Sequence, residues 1–274
     1  MTETSFYKMS GSGNDFVVLD GRETSPEEWP AERVAAICHR RLGVGGDGLV
    51  ILTPEEDDLR MIYLNSDGGR VALCGNAALC CTRLAAHLGI ARPEGMKLRT
   101  DSGVLATRCV GEGHLAELQL PPFVAGPKPG IALAEGERDC WFGTVGVPHL
   151  IVLVGDTGRV DVTTRGSELR RHPHFAPQGT NVNFVGTAAG ARGQWKIRTF
   201  ERGIEGETLA CGTGTVAAAF SLAQAGLGAF PMEFETGSGN LLTVSGTLEG
   251  EGQLVGWLRG EGRLVFQGSW KCEV

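Results

Sequence analysis

Short apolar runs cut by glycine-bearing turns recur along the chain, and twice they give way to a longer stretch of small residues free of proline. In the first half the pattern predicts strands at 16–19, 49–52, 60–64, 97–99, 105–110 and 116–120. A helix is predicted over 26–41, where Trp29, Val34, Ile37 and Cys38 keep helical spacing and Gly43 supplies the stop. A second helix is predicted to run from Cys74 to His87. The second half reads alike, with strands near 141–144, 150–154, 182–185, 196–200, 232–235, 241–248, 253–259 and 262–267. The stretch 162–172 is helical or irregular, and an alanine-rich helix starts at Cys211 and ends near Ala225. The acidic stretch 55–58 reads as a solvated turn.

The two halves share anchors at a nearly constant offset. Cys74-Gly75-Asn76 and Cys211-Gly212-Thr213 lie 137 residues apart in a chain of 274. Asn65 and Glu201 each end an apolar run, 136 residues apart, as do Thr100-Asp101-Ser102-Gly103 and Thr236-Gly237-Ser238-Gly239. Gly13-Asn14-Asp15-Phe16 matches Gly146-Val147-Pro148-His149 at 133. A conserved order at fixed spacing marks an internal repeat. The expected architecture is therefore α/β (α+β) with two pseudo-symmetric domains. One covers 1–121 and is joined by a last strand at about 263–274; the other covers 122–262. The proline-rich stretch 121–130 is the natural linker.

Composition narrows the function. A net charge of −7 argues against nucleic acid or an anionic membrane surface as partner. No signal-peptide pattern opens the chain and no apolar run could span a bilayer, so a cytoplasmic protein is expected. Eight cysteines are too few for a disulfide scaffold. Six of them (Cys38, Cys80, Cys81, Cys109, Cys140, Cys272) sit in apolar or strand contexts and read as small buried hydrophobes. Cys74, Cys80 and Cys81 lack the knuckle spacing of a zinc site, and His172-Pro173-His174 reads as surface loop, so no metal is expected. Neither GxGxxG between strand and helix nor a P-loop occurs. The five lysines suggest no pyridoxal phosphate site, so no cofactor is expected.

What remains is the pair Cys74 and Cys211, each before a glycine at a helix start and each the other's repeat mate. Such a helix end offers unpaired N–H groups and a positive dipole, which suit a carboxylate and should lower a thiol's pKa. Two thiols on opposite faces of a carbon acid can exchange a proton and invert the centre. Preorganised amides at two helix ends would stabilise the enolate-like carboxylate. Glu201-Arg202 leads directly to Cys211, where a guanidinium could grip a second carboxylate. His149 occupies the repeat position of the Asn14 loop, and Asn14, Asn65, Asn76 and Asn181 fall in glycine-bearing turns.

At the level of KMSGSGNDFVVLD (8–20), GVGGDGL (43–49), Asn65-Ser66-Asp67-Gly68, Cys74-Gly75-Asn76-Ala77, GTNVNFV (179–185) and the stretch 200–219, the chain resembles the diaminopimelate epimerase family. The resemblance implies cofactor-independent epimerisation of LL-diaminopimelate to the meso form, a step of lysine and cell-wall precursor synthesis. It implies Cys74 and Cys211 as acid and base, with His149 and Glu201 tuning them. Amides of Gly75, Asn76, Gly212 and Thr213 would hold the reacting carboxylate. Asn14, Asn65, Asn181 and Arg202 would bind the distal amino acid end. The family fold places strands around a central helix in each domain, with the active site at the interface, and members are often homodimers. Val147-Pro148-His149 departs from the Asn-Pro-His of many members. Two alternatives stand beside this reading: a racemase of another amino acid such as histidine, or a non-catalytic thiol or metal-binding protein.

Overall fold

A computed structural model describes residues 3–56, 58–187, 194–249 and 253–271. The chain divides into two compact units, Met1–Leu118 with Gly260–Val274, and Gln119–Arg259. Cys272 lies outside the described residues.

The first unit runs β1 (Glu3–Gly11), β2 (Asn14–Asp20), α1 (Ala31–Cys38), β3 (Gly48–Glu55), β4 (Asp58–Asn65), β5 (Arg70–Val71), α2 (Gly75–His87), β6 (Met96–Thr100), β7 (Gly103–Cys109) and β8 (Leu115–Gln119). The second runs β9 (Val124–Ala125), β10 (Glu137–Val145), β11 (Val147–Val154), α3 (Val162–Arg170), β12 (Asn181–Gly186), β13 (Trp195–Glu201), β14 (Gly206–Thr208), α4 (Gly212–Gln224), β15 (Met232–Glu235), β16 (Leu241–Glu249) and β17 (Gln253–Glu261). The last strand, β18 (Arg263–Lys271), pairs antiparallel with β1, its Tyr7 opposite Gln267. No described helix is long and apolar enough to cross a membrane.

Strand pairing repeats from unit to unit. The hairpin β1–β2 corresponds to β10–β11, and the parallel pair β2–β3 to β11–β12. Antiparallel β3–β4 matches β12–β13, and parallel β4–β6 matches β13–β15. Even the register agrees. Phe16 faces Gly48 and Gly48 faces Asn65; at the equivalent places His149 faces Asn181, and β12 pairs with β13 through Asn183 and Thr199, as Val50 pairs with Tyr63.

Because alternate strand residues point to opposite faces, each sheet carries two cores. One face of the first unit buries Val17, Leu19, Leu49, Ile51, Ile62 and Leu64 against Val34 and Ile37 of α1. The equivalent face of the second buries Leu150, Val152, Val182, Phe184 and Phe200 against Val162 and Leu169 of α3. Each such side chain contributes about 1.5–3 kcal/mol on burial. The other faces meet α2 and α4. In α4 every residue from Gly214 to Leu222 is buried, which only a run of small side chains around one Phe220 permits. Phe220 packs on Phe123 and Phe230 with ring centroids 5.6 and 5.1 Å away.

Several elements differ from the sequence expectation. The stretch 26–41 is not one helix: a 3-10 turn, Pro26–Glu28, precedes α1, and Pro30 caps a helix that ends at Cys38. Pro30 lacks the N–H that a continuous helix would need. Beyond α1 the chain folds back, with Gly43 and Gly45 donating to the carbonyls of His39 and Ile37 at 2.8 and 3.0 Å. A Cβ on Gly43 would stand 2.2 Å from the Ala36 carbonyl oxygen, so only glycine closes this turn. Glu55 and Asp58 end the β3–β4 hairpin, and Arg99 reaches both, at 3.7 and 2.7 Å. Of the cysteines expected to be buried, Cys38, Cys80, Cys81 and Cys140 are, whereas Cys109 is half-buried at the end of an edge-proximal strand.

Candidate active site

Cys74 and Cys211 occupy the same local position in their units. Each is the N-cap of its helix, with φ/ψ of −132/114° and −130/106°. Their carbonyls accept the first intrahelical bonds, from Ala78 and Thr215, both at 3.0 Å. Neither cap side chain bonds back to the helix start, so the amides of the first turn remain available to a ligand. Both thiols are reduced.

Around α2 the polar groups come from loops. Asn76 Nδ2 donates to Asn14 Oδ1 at 2.6 Å, and Asn14 Nδ2 donates to Asp47 Oδ2 at 2.9 Å. Asp47 also accepts from the Asp15 amide at 3.2 Å and from Arg40 at 2.7 Å. Asp15 in turn binds Arg40 at 2.7 Å and Lys8 at 2.6 Å, and Lys8 reaches the Gly45 carbonyl. Burial alone would raise the Asp15 pKa, but the bonds from Arg40 and Lys8 hold it down at about 2. This ionic cluster pins the 43–48 loop, and through Asp47 it fixes the Asn14 carboxamide. Asn65 sits across from Gly48 with its side chain unbonded among the described residues. Asp47 escaped the residue-level reading; its place in the GVGGDGL motif was the available signal.

The second unit is built differently on the same register. His149, Asn181, Asn183, Thr199 and Glu201 share the sheet face turned toward α4. Their counterparts are Phe16, Gly48, Val50, Tyr63 and Asn65, so an aromatic edge contact (Phe16 to Tyr63, 5.8 Å) stands where a polar network stands in the second unit. His149 is 0% exposed. Burial, with the Arg202 charge, depresses its pKa to about 3, so the ring is neutral. Asn183 Nδ2 lies 3.1 Å from the Leu150 carbonyl and 3.3 Å from His149 Nδ1, and Asn183 Oδ1 accepts from Thr199 at 3.0 Å. Asn181 Oδ1 accepts the Arg202 amide at 2.8 Å. The Arg202 guanidinium donates to the Gln178 carbonyl at 3.2 Å and has no carboxylate partner among the described residues.

Cys211 is 9% exposed and bonds the Glu201 carboxylate, which also accepts from Thr208 at 2.7 Å. Thr213 Oγ1 lies 3.6 Å from the sulfur, and the Gly214 amide donates to it. The helix-start argument expected a lowered thiol pKa here. The opposite holds: burial first, and then the Glu201 charge, push the Cys211 thiol well up, outweighing the donors from Thr213 and Gly214. Burial likewise raises Glu201. The pair therefore holds a proton and resists a second negative charge. A Cβ on Gly214 would lie 2.1 Å from Asn183 Oδ1 and 3.3 Å from Cys211 Sγ, so a glycine is needed for α4 to settle on the carboxamide. Asn183, Thr208 and Gly214 are the site neighbours missed from sequence. Asn183 lies in the quoted GTNVNFV motif, two residues from Asn181 and hence on its face.

No three His, Cys, Asp or Glu side chains converge as a metal site among the described residues. The distinctive chemistry is instead a thiol at each of two matching helix starts, one of them wired to a buried carboxyl.

Comparison with known proteins follows the same lines. The sequence profile described as diaminopimelate epimerase matches residues 6–120 and 142–260. A diaminopimelate epimerase of Gemmatimonas aurantiaca is 45% identical over 274 residues, covering 96% of this chain and 98% of that one. That of Chlorobaculum tepidum is 39% identical over 276 residues, covering 95% and 99%. Among solved structures, a PhzF-family phenazine biosynthesis protein of Bacillus anthracis superposes with a TM-score of 0.78 at 16% identity, over 99% and 100% of the two chains. An epimerase-like protein of Pseudomonas aeruginosa gives 0.68 at 16% identity, over 97% and 98%. Those two distant likenesses carry the fold alone, but the profile and the near-full-length relatives carry more: the chain belongs to the diaminopimelate epimerase family.

Proposed function

We propose that this protein epimerises LL-diaminopimelate to the meso isomer, without a cofactor, by proton transfer through Cys74 and Cys211. One observation carries the reading beyond family membership. Two reduced cysteines cap helices of matching geometry, within a few degrees in φ and ψ, in two halves of matching strand register. In the forward direction one sulfur removes the α-proton and the other delivers a proton to the opposite face. Reversal exchanges the roles. The first-turn amides Gly75, Asn76, Gly212 and Thr213 stabilise the carboxylate as negative charge grows on it. The raised pKa of Cys211 keeps its proton in place for delivery, and Glu201 is positioned to take that proton when Cys211 serves as base. Arg202, with Asn14, Asn65 and Asn181, binds the distal amino acid end, so that one of two chemically similar centres is placed at the thiols.

The remaining parts of the proposal rest on less. The family resemblance supports a homodimer, and the exposed Val265 and Phe266 on β18 provide apolar surface for one. A cytoplasmic location suits a biosynthetic enzyme with reduced thiols. The test of the reaction is proton NMR of LL-diaminopimelate in heavy water with reductant and chelator, comparing wild type with Cys74→Ser and Cys211→Ser. Deuterium should enter one α-position as the meso isomer appears, and both variants should lose this by orders of magnitude. Turnover of histidine or another monocarboxylate in place of diaminopimelate would move the substrate assignment to a different racemase.

A further inference from the structure

The hydrogen bonds around Asn183 decide which nitrogen of His149 carries its proton. The argument starts from the Leu150 carbonyl, which can only accept. The carboxamide atom 3.1 Å from it must therefore be the nitrogen, and the other end must be the oxygen, where the Thr199 hydroxyl donates at 3.0 Å. That fixes the amide orientation from the network itself. The same nitrogen lies 3.3 Å from His149 Nδ1, so its second hydrogen points at the ring. A nitrogen that receives a hydrogen bond is an acceptor, so Nδ1 is unprotonated. The neutral ring must then bear its proton on Nε2. Nε2 is buried and finds no partner among the described residues. A buried donor without an acceptor is costly by about 1–3 kcal/mol, which is tolerated where a ligand completes it.

We infer that Asn183 is a positioning residue that locks His149 as the Nε2–H tautomer, and that His149 enters the reaction as a hydrogen-bond donor and not as a general base. Neither ring nitrogen can take up a proton in this state: Nδ1 has its lone pair engaged and Nε2 is already protonated. The first unit shows the same framework without this device, since Phe16, Val50 and Tyr63 occupy the positions of His149, Asn183 and Thr199. The consequence for proton transfer rests on the epimerase reading; the tautomer does not.

The experiment is a long-range proton–nitrogen spectrum of the resting, histidine-labelled protein, with His149→Gln used to assign the signal. Wild type should show the pattern of a neutral ring protonated at Nε2, and Thr199→Val, which keeps the Asn183 amide, should leave it unchanged. Asn183→Asp should invert it, because a carboxylate cannot donate and would accept from Nδ1–H. The inverted variant should lose at least about tenfold in kcat with a smaller change in KM, the value of one hydrogen bond made in the transition state. A wild-type ring protonated at Nδ1, or at both nitrogens, overturns the inference even if Asn183→Asp fails to fold. Failure of the deuterium exchange assay would strike the epimerase reading and leave the spectrum standing.

Discussion

Replacing Gly214 by alanine tests how tightly α4 is seated on its sheet. The added Cβ would stand 2.1 Å from Asn183 Oδ1 and 3.1 Å from its Cγ, far inside contact distance. Asn183 is fully buried and tied to His149, Leu150 and Thr199, so it cannot swing away without breaking those bonds. Alanine gains about 1 kcal/mol in helix propensity. Against this, overpacking costs about 1–3 kcal/mol, and a carboxamide pushed out of register forfeits bonds worth about 1–3 kcal/mol when left unmade. The balance is a loss of about 2–4 kcal/mol. The first unit supplies the control, because it carries Ala77 at the equivalent helix position and Val50 in place of Asn183, both fully buried. Gly214→Ala combined with Asn183→Val should therefore be more stable than the sum of the two single changes by about 1–3 kcal/mol. Urea unfolding followed by circular dichroism measures all four members of the cycle. Additivity within about 0.5 kcal/mol, or a Gly214→Ala variant as stable as wild type, refutes the reasoning.

The remaining expectations are smaller. Gly75→Ala is the counterpart at the other helix start, where no atom lies within 4 Å of the new Cβ; stability should hold or rise by up to about 1 kcal/mol. His149 is neutral when folded, with its pKa lowered from 6.5 to about 3, so the unfolded chain binds the extra proton between those values. Unfolding free energy should thus fall as pH drops through that window, by up to about 1.4 kcal/mol per pH unit, and His149→Gln should remove that part of the slope in urea titrations. Because the Glu201 charge helps raise the Cys211 thiol, Glu201→Gln should move the pH midpoint of Cys211 alkylation downward while burial keeps it above an exposed cysteine's. An upward or absent shift would contradict the assigned coupling. Asp47→Ala should release Asn14 and weaken substrate binding about tenfold in KM with little loss of stability, since the network around Asp15 retains Lys8 and Arg40.

Much of this molecule was legible along the chain because its signals are local. Apolar alternation marks a strand wherever it lies, and Cys-Gly before a run of small residues marks a helix start without reference to the rest of the fold. The repeat was legible for a related reason: equal offsets between Cys74 and Cys211, and between Asn65 and Glu201, survive in one dimension. The helix expected over 26–41 failed where a second local signal, Pro30, competed with good periodicity. Asp47, Asn183 and Thr208 were passed over because each acts through a partner distant in sequence. Asn183 meets Thr199 and His149 only after three strands have paired, and no spacing rule links those positions.

The sequence by itself determined the two-fold plan and the placing of a cysteine at each of two helix starts, since these depend on short-range pattern and on residue type. It could not determine the protonation chemistry. The expected lowering of the thiol pKa followed from the helix end alone, but in the folded unit Cys211 is buried beside Glu201, and desolvation with a nearby negative charge outweighs the dipole. The proton on His149 was likewise decided by a carbonyl of the adjoining residue and an asparagine on the neighbouring strand. Charge states depend on dielectric surroundings and on partners in three dimensions, so tertiary structure alone could set them.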